Sequence, residues 1–149
     1  MQAALLVVLI GVWIVSAWYD PVFVIQLARI SKNRSDKDLL HALENNAILK
    51  RTTKEAVVND ILKEQDEKTQ KAYAAIVQKT KQSRKAAYDK VLSKAGADQA
   101  VKNFFEQAEK INNDMNISDG DADRKMKELR AKLNQEQRKL VTELQFYLR

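Results

Sequence analysis

The strongest constraint on this chain is a stripe in its middle. Tyr73, Ile76, Val77, Thr80, Arg84, Ala87, Val91 and Ala95 recur at helical spacing through about six turns and stop near Gly96. A strand pattern would alternate every second residue, and this one does not. One long helix is therefore expected in the middle of the chain. The stripe is thin at Thr80 and Arg84, where polar side chains stand in apolar positions.

The flanking segments repeat the helical period. Val22, Val24, Ile25, Leu27 and Ile30 follow Pro21 as a short helix or an ordered arm, and Ser35 with Asp38 resembles a helix start ahead of Leu39, Leu40, Leu43 and Ala47. Thr52 to Glu55 reads as a capping box before Val57, Val58, Ile61 and Leu62. Asp98 is placed to cap a helix whose Val101, Phe104, Phe105, Ala108 and Ile111 supply the main aromatic anchor. Beyond it come a helix with Ala122, Met126, Leu129 and Leu133, then one opened by the box Asn134 to Gln137 and carrying Leu140, Val141, Leu144, Tyr147 and Leu148. With only three glycines and one proline to break helices, the expected fold is an all-α compact bundle of about five to six helices.

At 149 residues the chain supports one core. The formal net charge of +6 permits an acidic partner, but acids and bases alternate along most of the chain and no basic cluster is interleaved with stacking aromatics, so nucleic acid is not an expected partner. The absence of cysteine excludes disulfides, thiolate metal sites and thiol nucleophiles.

The first residues, MQAALLVVLIGVWIVSAWYDP, contain an apolar run from Ala3 to Val15 and then Val15-Ser16-Ala17, a small-residue site for a signal peptidase. The run lacks Lys and Arg before it, and the competing reading is an uncleaved anchor reaching to Tyr19. The expectation is a secretory signal over residues 1–17 cleaved after Ala17, a secreted protein with no stable membrane insertion after signal removal, an N-terminal arm and short helix over 18–46, and a helical domain over 47–149. Export makes the sequons at Asn33 and Asn116 meaningful.

The stretch NNDMNISDGDAD, Asn112 to Asp123, gathers acids around Gly120. Asp114, Asn116, Asp119 and Asp121 are the candidate ligands for a divalent cation. An EF-hand loop needs oxygen ligands at positions 1, 3 and 5, Gly at 6 and a bidentate Glu at 12. Starting at Asp114, Gly120 falls at position 7 and Lys125 at position 12; starting at Met115, the first ligand is lost and Met126 stands at 12. The acids have a second explanation: Ser118 as N-cap with Asp121 three residues on, and carboxylates in a first turn where the macrodipole favours them.

The order VKNFFEQAEKI, a polar loop, Ser118 opening a helix with KMKELRAKL, and then NQEQRKLVTEL resembles the nematode SXP/RAL secreted antigens, which include anisakid allergens. The resemblance runs from about Ala47 to Leu148 and extends to KRTTKEAVVNDIL and KAYAAIVQKTKQSRKAAYDK. It implies a small secreted antigen-type helical protein, a helix-loop-helix arrangement distantly like EF-hand proteins, and weak binding of Ca²⁺ or Mg²⁺. No catalytic site is expected: His41, the one histidine, lies beside Leu40 and Leu43, and no phosphate loop, zinc signature or nucleophile elbow is present. The competing functions are an extracellular carrier of a small lipid, a fatty acid or retinoid, and a protein-binding module.

Overall fold

A computed structural model describes residues 19–148; the expected signal segment and its cleavage site lie outside the described residues. The fold is all-α. Among the described residues seven α-helices follow in order: α1 (Val24–Ile30), α2 (Arg34–Glu44), α3 (Arg51–Lys63), α4 (Glu67–Lys94), α5 (Gln99–Asn113), α6 (Asp119–Ala131) and α7 (Gln135–Gln145), with a 3₁₀ turn at Phe146–Leu148. The helix beyond the expected five to six is α1, the segment whose sequence left helix and arm open. The Asp20 carboxylate accepts from the N–H groups of Val22 and Val24, and the latter is one that a helix start otherwise leaves without a partner. Among these residues Phe23 sits at φ +59°, a left-handed conformation that bulky side chains rarely adopt, and it is almost fully buried.

The central helix holds as expected. Asp66 caps its start by accepting from the Thr69 N–H at 2.7 Å, and Gly96, at φ +63°, ends it. At 28 residues α4 is about 42 Å long and touches two apolar cores. Near its start, Tyr73 joins Val24, Leu27, Leu40, Leu43, Val58 and Ile61. Near its end, Val91 joins Val101, Phe104, Phe105, Met126, Leu129, Val141 and Leu144. The arm and α2 thus share a core with α3 and α4, and the expected boundary at 46/47 falls inside the α2–α3 connection.

The thin part of the stripe is where one core gives way to the other. The arm covers it: the Arg84 guanidinium lies 3.8 Å from the centre of the Tyr19 ring, Lys81 stands 5.5 Å from that of Phe23, and the Tyr73 hydroxyl donates to the Val22 carbonyl at 3.2 Å. Cations over aromatic faces satisfy positions where an aliphatic stripe would have been continuous.

The capping expectations divide. Asp98 accepts from the Val101 N–H, Ser118 from that of Asp121, and Asn134 with Gln137 forms the full reciprocal box. Asn33, the first sequon asparagine, is the N-cap of α2 and accepts from the Ser35 N–H, so this helix starts one residue ahead of Ser35. Leu39 and Ala47, expected on its apolar face, are exposed. Thr52 does not open α3: the N-cap is Lys50, with no side-chain bond, and the donors of this helix go elsewhere.

Candidate cation site at the paired loops

Those donors go to the other loop. The α5–α6 connection lies against the α2–α3 connection, with an isolated antiparallel bridge between Lys50 and Ser118. Arg51 N–H donates to the Ile117 carbonyl at 3.1 Å, and Thr52 N–H to that of Met115 at 3.0 Å. In return the Gly120 N–H, in the first turn of α6, donates to the Ala47 carbonyl at 2.9 Å. Each helix start is completed by backbone from the opposite helix-loop-helix unit, which satisfies groups that local caps would otherwise have to bind. The approach is close enough to favour glycine: a Cβ on Gly120 would stand 3.0 Å from the Ala47 oxygen, tighter than ordinary contact.

Two side chains from the first turn of α3 reach into the same joint. Arg51 and Lys54 have 4% and 2% of their side chains exposed. Asp119 accepts from Arg51 Nε at 2.9 Å through one oxygen and from Lys54 Nζ at 2.6 Å through the other. Arg51 Nη1 also donates to the carbonyls of Ile111, Asn112 and Asp114, where α5 ends, and a cation suits the negative end of that helix. Lys54 donates further to the Glu44 carbonyl at the end of α2. The Glu44 carboxyl is raised above the usual range by burial and by the charge of Asp20, against the pull of Lys54; burial likewise raises that of Asp20.

The four candidate ligands point to different partners. Asp119 is held as described. Asp121 accepts from Arg124 at 2.8 Å and from the Ser118 hydroxyl at 3.0 Å, and these two contacts, Arg124 foremost, hold its carboxyl below the usual range. Asp114 accepts from the Asn116 N–H through one oxygen, and its other oxygen stands 3.9 Å from Lys125. Asn116 itself is exposed. Among the described residues, no three His, Cys, Asp or Glu side chains converge in a way that could hold a metal ion. Both oxygens of Asp119 already face full positive charges, so this donor set does not fit a divalent ion unless Arg51 and Lys54 are displaced.

Sequence reasoning passed over Arg51 and Lys54. A signal was present: α3 has no acid in its first turn, where the macrodipole favours one, and two cations stand there instead. Such a start needs a carboxylate from elsewhere in the chain.

A small cavity of about 30 Å³ is lined by Tyr19, Arg84, Phe104, Phe105, Met126 and Gln145, among others. It has room for about one water molecule, whereas drug-sized ligands occupy roughly 300 Å³ or more. Arg84 pairs with Glu109 at 2.6 Å beside it. His41 is exposed on the last turn of α2, and among the described residues no helix is long and apolar enough to cross a membrane.

Compared with known proteins, the chain matches no family model, no curated protein and no solved structure.

Proposed function

We propose that this chain is an exported, non-enzymatic helical binding protein whose two loops are locked by its own cations, and that divalent ions reach the loop only weakly. The observation that carries this reading is the engagement of Asp119 by Arg51 and Lys54. In the SXP/RAL reading the loop gathers acids for Ca²⁺ or Mg²⁺; here a buried ammonium and a guanidinium stand where such an ion would compensate Asp119. What remains accessible is Asp114, Asn116 and Asp121, an incomplete set without the position-12 carboxylate that a tight loop needs. Affinity in the millimolar range is the corresponding expectation. Loop-to-loop pairing of two helix-loop-helix units favours the distant EF-hand likeness, with charge supplied from within. The 30 Å³ cavity lends no support to carriage of a fatty acid or retinoid.

The test is an amide NMR titration of the protein, as processed by its host, with Ca²⁺ and with Mg²⁺. Shifts near Gly120 that saturate only at millimolar ion agree with the proposal, and none at several millimolar Ca²⁺ or Mg²⁺ would count against it. Saturation at micromolar Ca²⁺ centred on Asp119 would sink it, since Lys54 and Arg51 would then have to leave.

A further inference from the structure

The charge of this chain is concentrated in one helix. α4 contains eight basic and two acidic residues, a net +6, and the whole chain is also +6, so the remainder is neutral in sum. Several of these cations are locally satisfied. Lys71 pairs with Glu67 and Lys85 with Asp89, one turn apart, and Arg84 is turned inward onto Glu109.

Lys68, Lys79 and Lys90 are different. They repeat every eleven residues, which returns a helix to within about 20° of the same direction, so the three form one row about 33 Å long. Lys94 stands one turn beyond. All four are exposed, and among the described residues none is in a salt bridge. Lys90 and Lys94 stand 4.6 and 4.9 Å from the centre of the Tyr147 ring, which holds that end of the row in place. On the line of the row the exposed side chains between the lysines are small, Ala72, Ala75, Ser83, Ala86 and Ser93, with the longer Gln82 to one side.

This spacing decides what can dock. A membrane surface is held stably only when an apolar anchor is added to the charge, and this face has alanine and serine where the anchor would be. A single-stranded nucleic acid needs aromatic platforms along the row, and the one tyrosine at its end is already covered by two lysines. A linear sulfated polysaccharide needs neither. It carries anions at intervals along an extended chain, lysine ammoniums bind them as point charges, and small side chains between them let the polymer lie close. We propose that the solvent face of α4 is a docking surface for a linear sulfated polysaccharide. This goes beyond the reading of the loops and does not depend on it.

Heparin is the probe. In the full chain, as processed by its host, Lys68, Lys79 and Lys90 are changed together to Gln, which keeps helix propensity, and circular dichroism verifies the fold. A control changes Lys110, Lys127 and Lys132, equally exposed and equal in charge. At physiological salt the row variant should lose about tenfold or more in affinity, and its plot of log affinity against log salt should flatten by about two, while the control changes little. Equal losses in both variants would overturn the proposal in favour of diffuse attraction, and heparin binding that survives in the row variant would remove the surface. Phosphatidylserine vesicles and single-stranded DNA are run alongside. Binding to either that is tighter than to heparin and lost with the same three lysines would reassign the face and refute the polysaccharide.

Discussion

Lys54 and Asp119 stand 2.6 Å apart across 65 residues of sequence, with the lysine side chain 2% exposed. An ammonium that deep is tolerable only while its carboxylate is present. Asp119→Asn leaves both Lys54 and Arg51 without their counter-charge, and should lower stability by on the order of 3 kcal/mol in chemical denaturation. Asp121→Asn removes a surface pair with Arg124 and should change stability far less. Equal effects from the two would mean the joint is not held by charge.

Gly120 is tested by adding one methyl. Alanine is the better helix former by about 1 kcal/mol, yet its Cβ would meet the Ala47 carbonyl at 3.0 Å, and a backbone neighbour cannot move aside cheaply. Gly120→Ala should therefore destabilise, by about 1–3 kcal/mol, against its own propensity. A gain in melting temperature would show that the loops are less closely apposed than described.

The aromatic pair Phe104 and Phe105, each 2% exposed and 5.4 Å apart edge to face, anchors the second core. Replacement of either with Ala should cost about 3–5 kcal/mol by denaturation. A loss below about 1 kcal/mol at both would misplace that core.

Asp66 and Tyr73 titrate outside their ordinary ranges, in opposite directions. The hydrogen bond from Lys32, aided by the Thr69 N–H, holds the Asp66 carboxyl at about 2. Its folded pKa is below its unfolded one, so its contribution to stability is complete above about pH 4 and is lost as pH falls through about 2. Burial, with the charge of Asp20 second, pushes the Tyr73 hydroxyl up to about 12. Here the folded pKa is the higher, so the contribution is complete below about pH 10 and is lost as pH rises through about 12. Carboxyl-carbon NMR should follow Asp66 with a midpoint near 2, and Lys32→Ala should bring that midpoint back toward the ordinary range. Tyrosinate absorbance should include one group that ionises only near pH 12 and whose ionisation accompanies unfolding; Tyr73→Phe should remove it.

What could be read from the residues was local. The stripe of α4, the caps at Asp98 and Asn134 and the apolar faces of α5 to α7 depend on neighbours within one or two turns, and they stand as read except at Tyr147, which is exposed in the turn beyond α7. The thinness at Thr80 and Arg84 was legible too, but its cover, Tyr19 and Phe23, lies some sixty residues upstream and follows no period. Thr52 departs from its expected capping box for the same reason. A local cap was expected where a carbonyl from Met115 completes the helix, and no window of sequence contains both. At the loop, the acids were visible and their partners were not, because Arg51 and Lys54 look like ordinary surface cations until the fold buries them.

The exchange of backbone bonds between the two loops reaches beyond the joint. The amides of Arg51 and Thr52 are shielded only while the second loop is in place, and that of Gly120 only while the first is. In deuterium oxide these three should open in a single event, however unlike their helices, because neither loop can lift off and leave the other protected. The two apolar cores among the described residues should then melt in one transition.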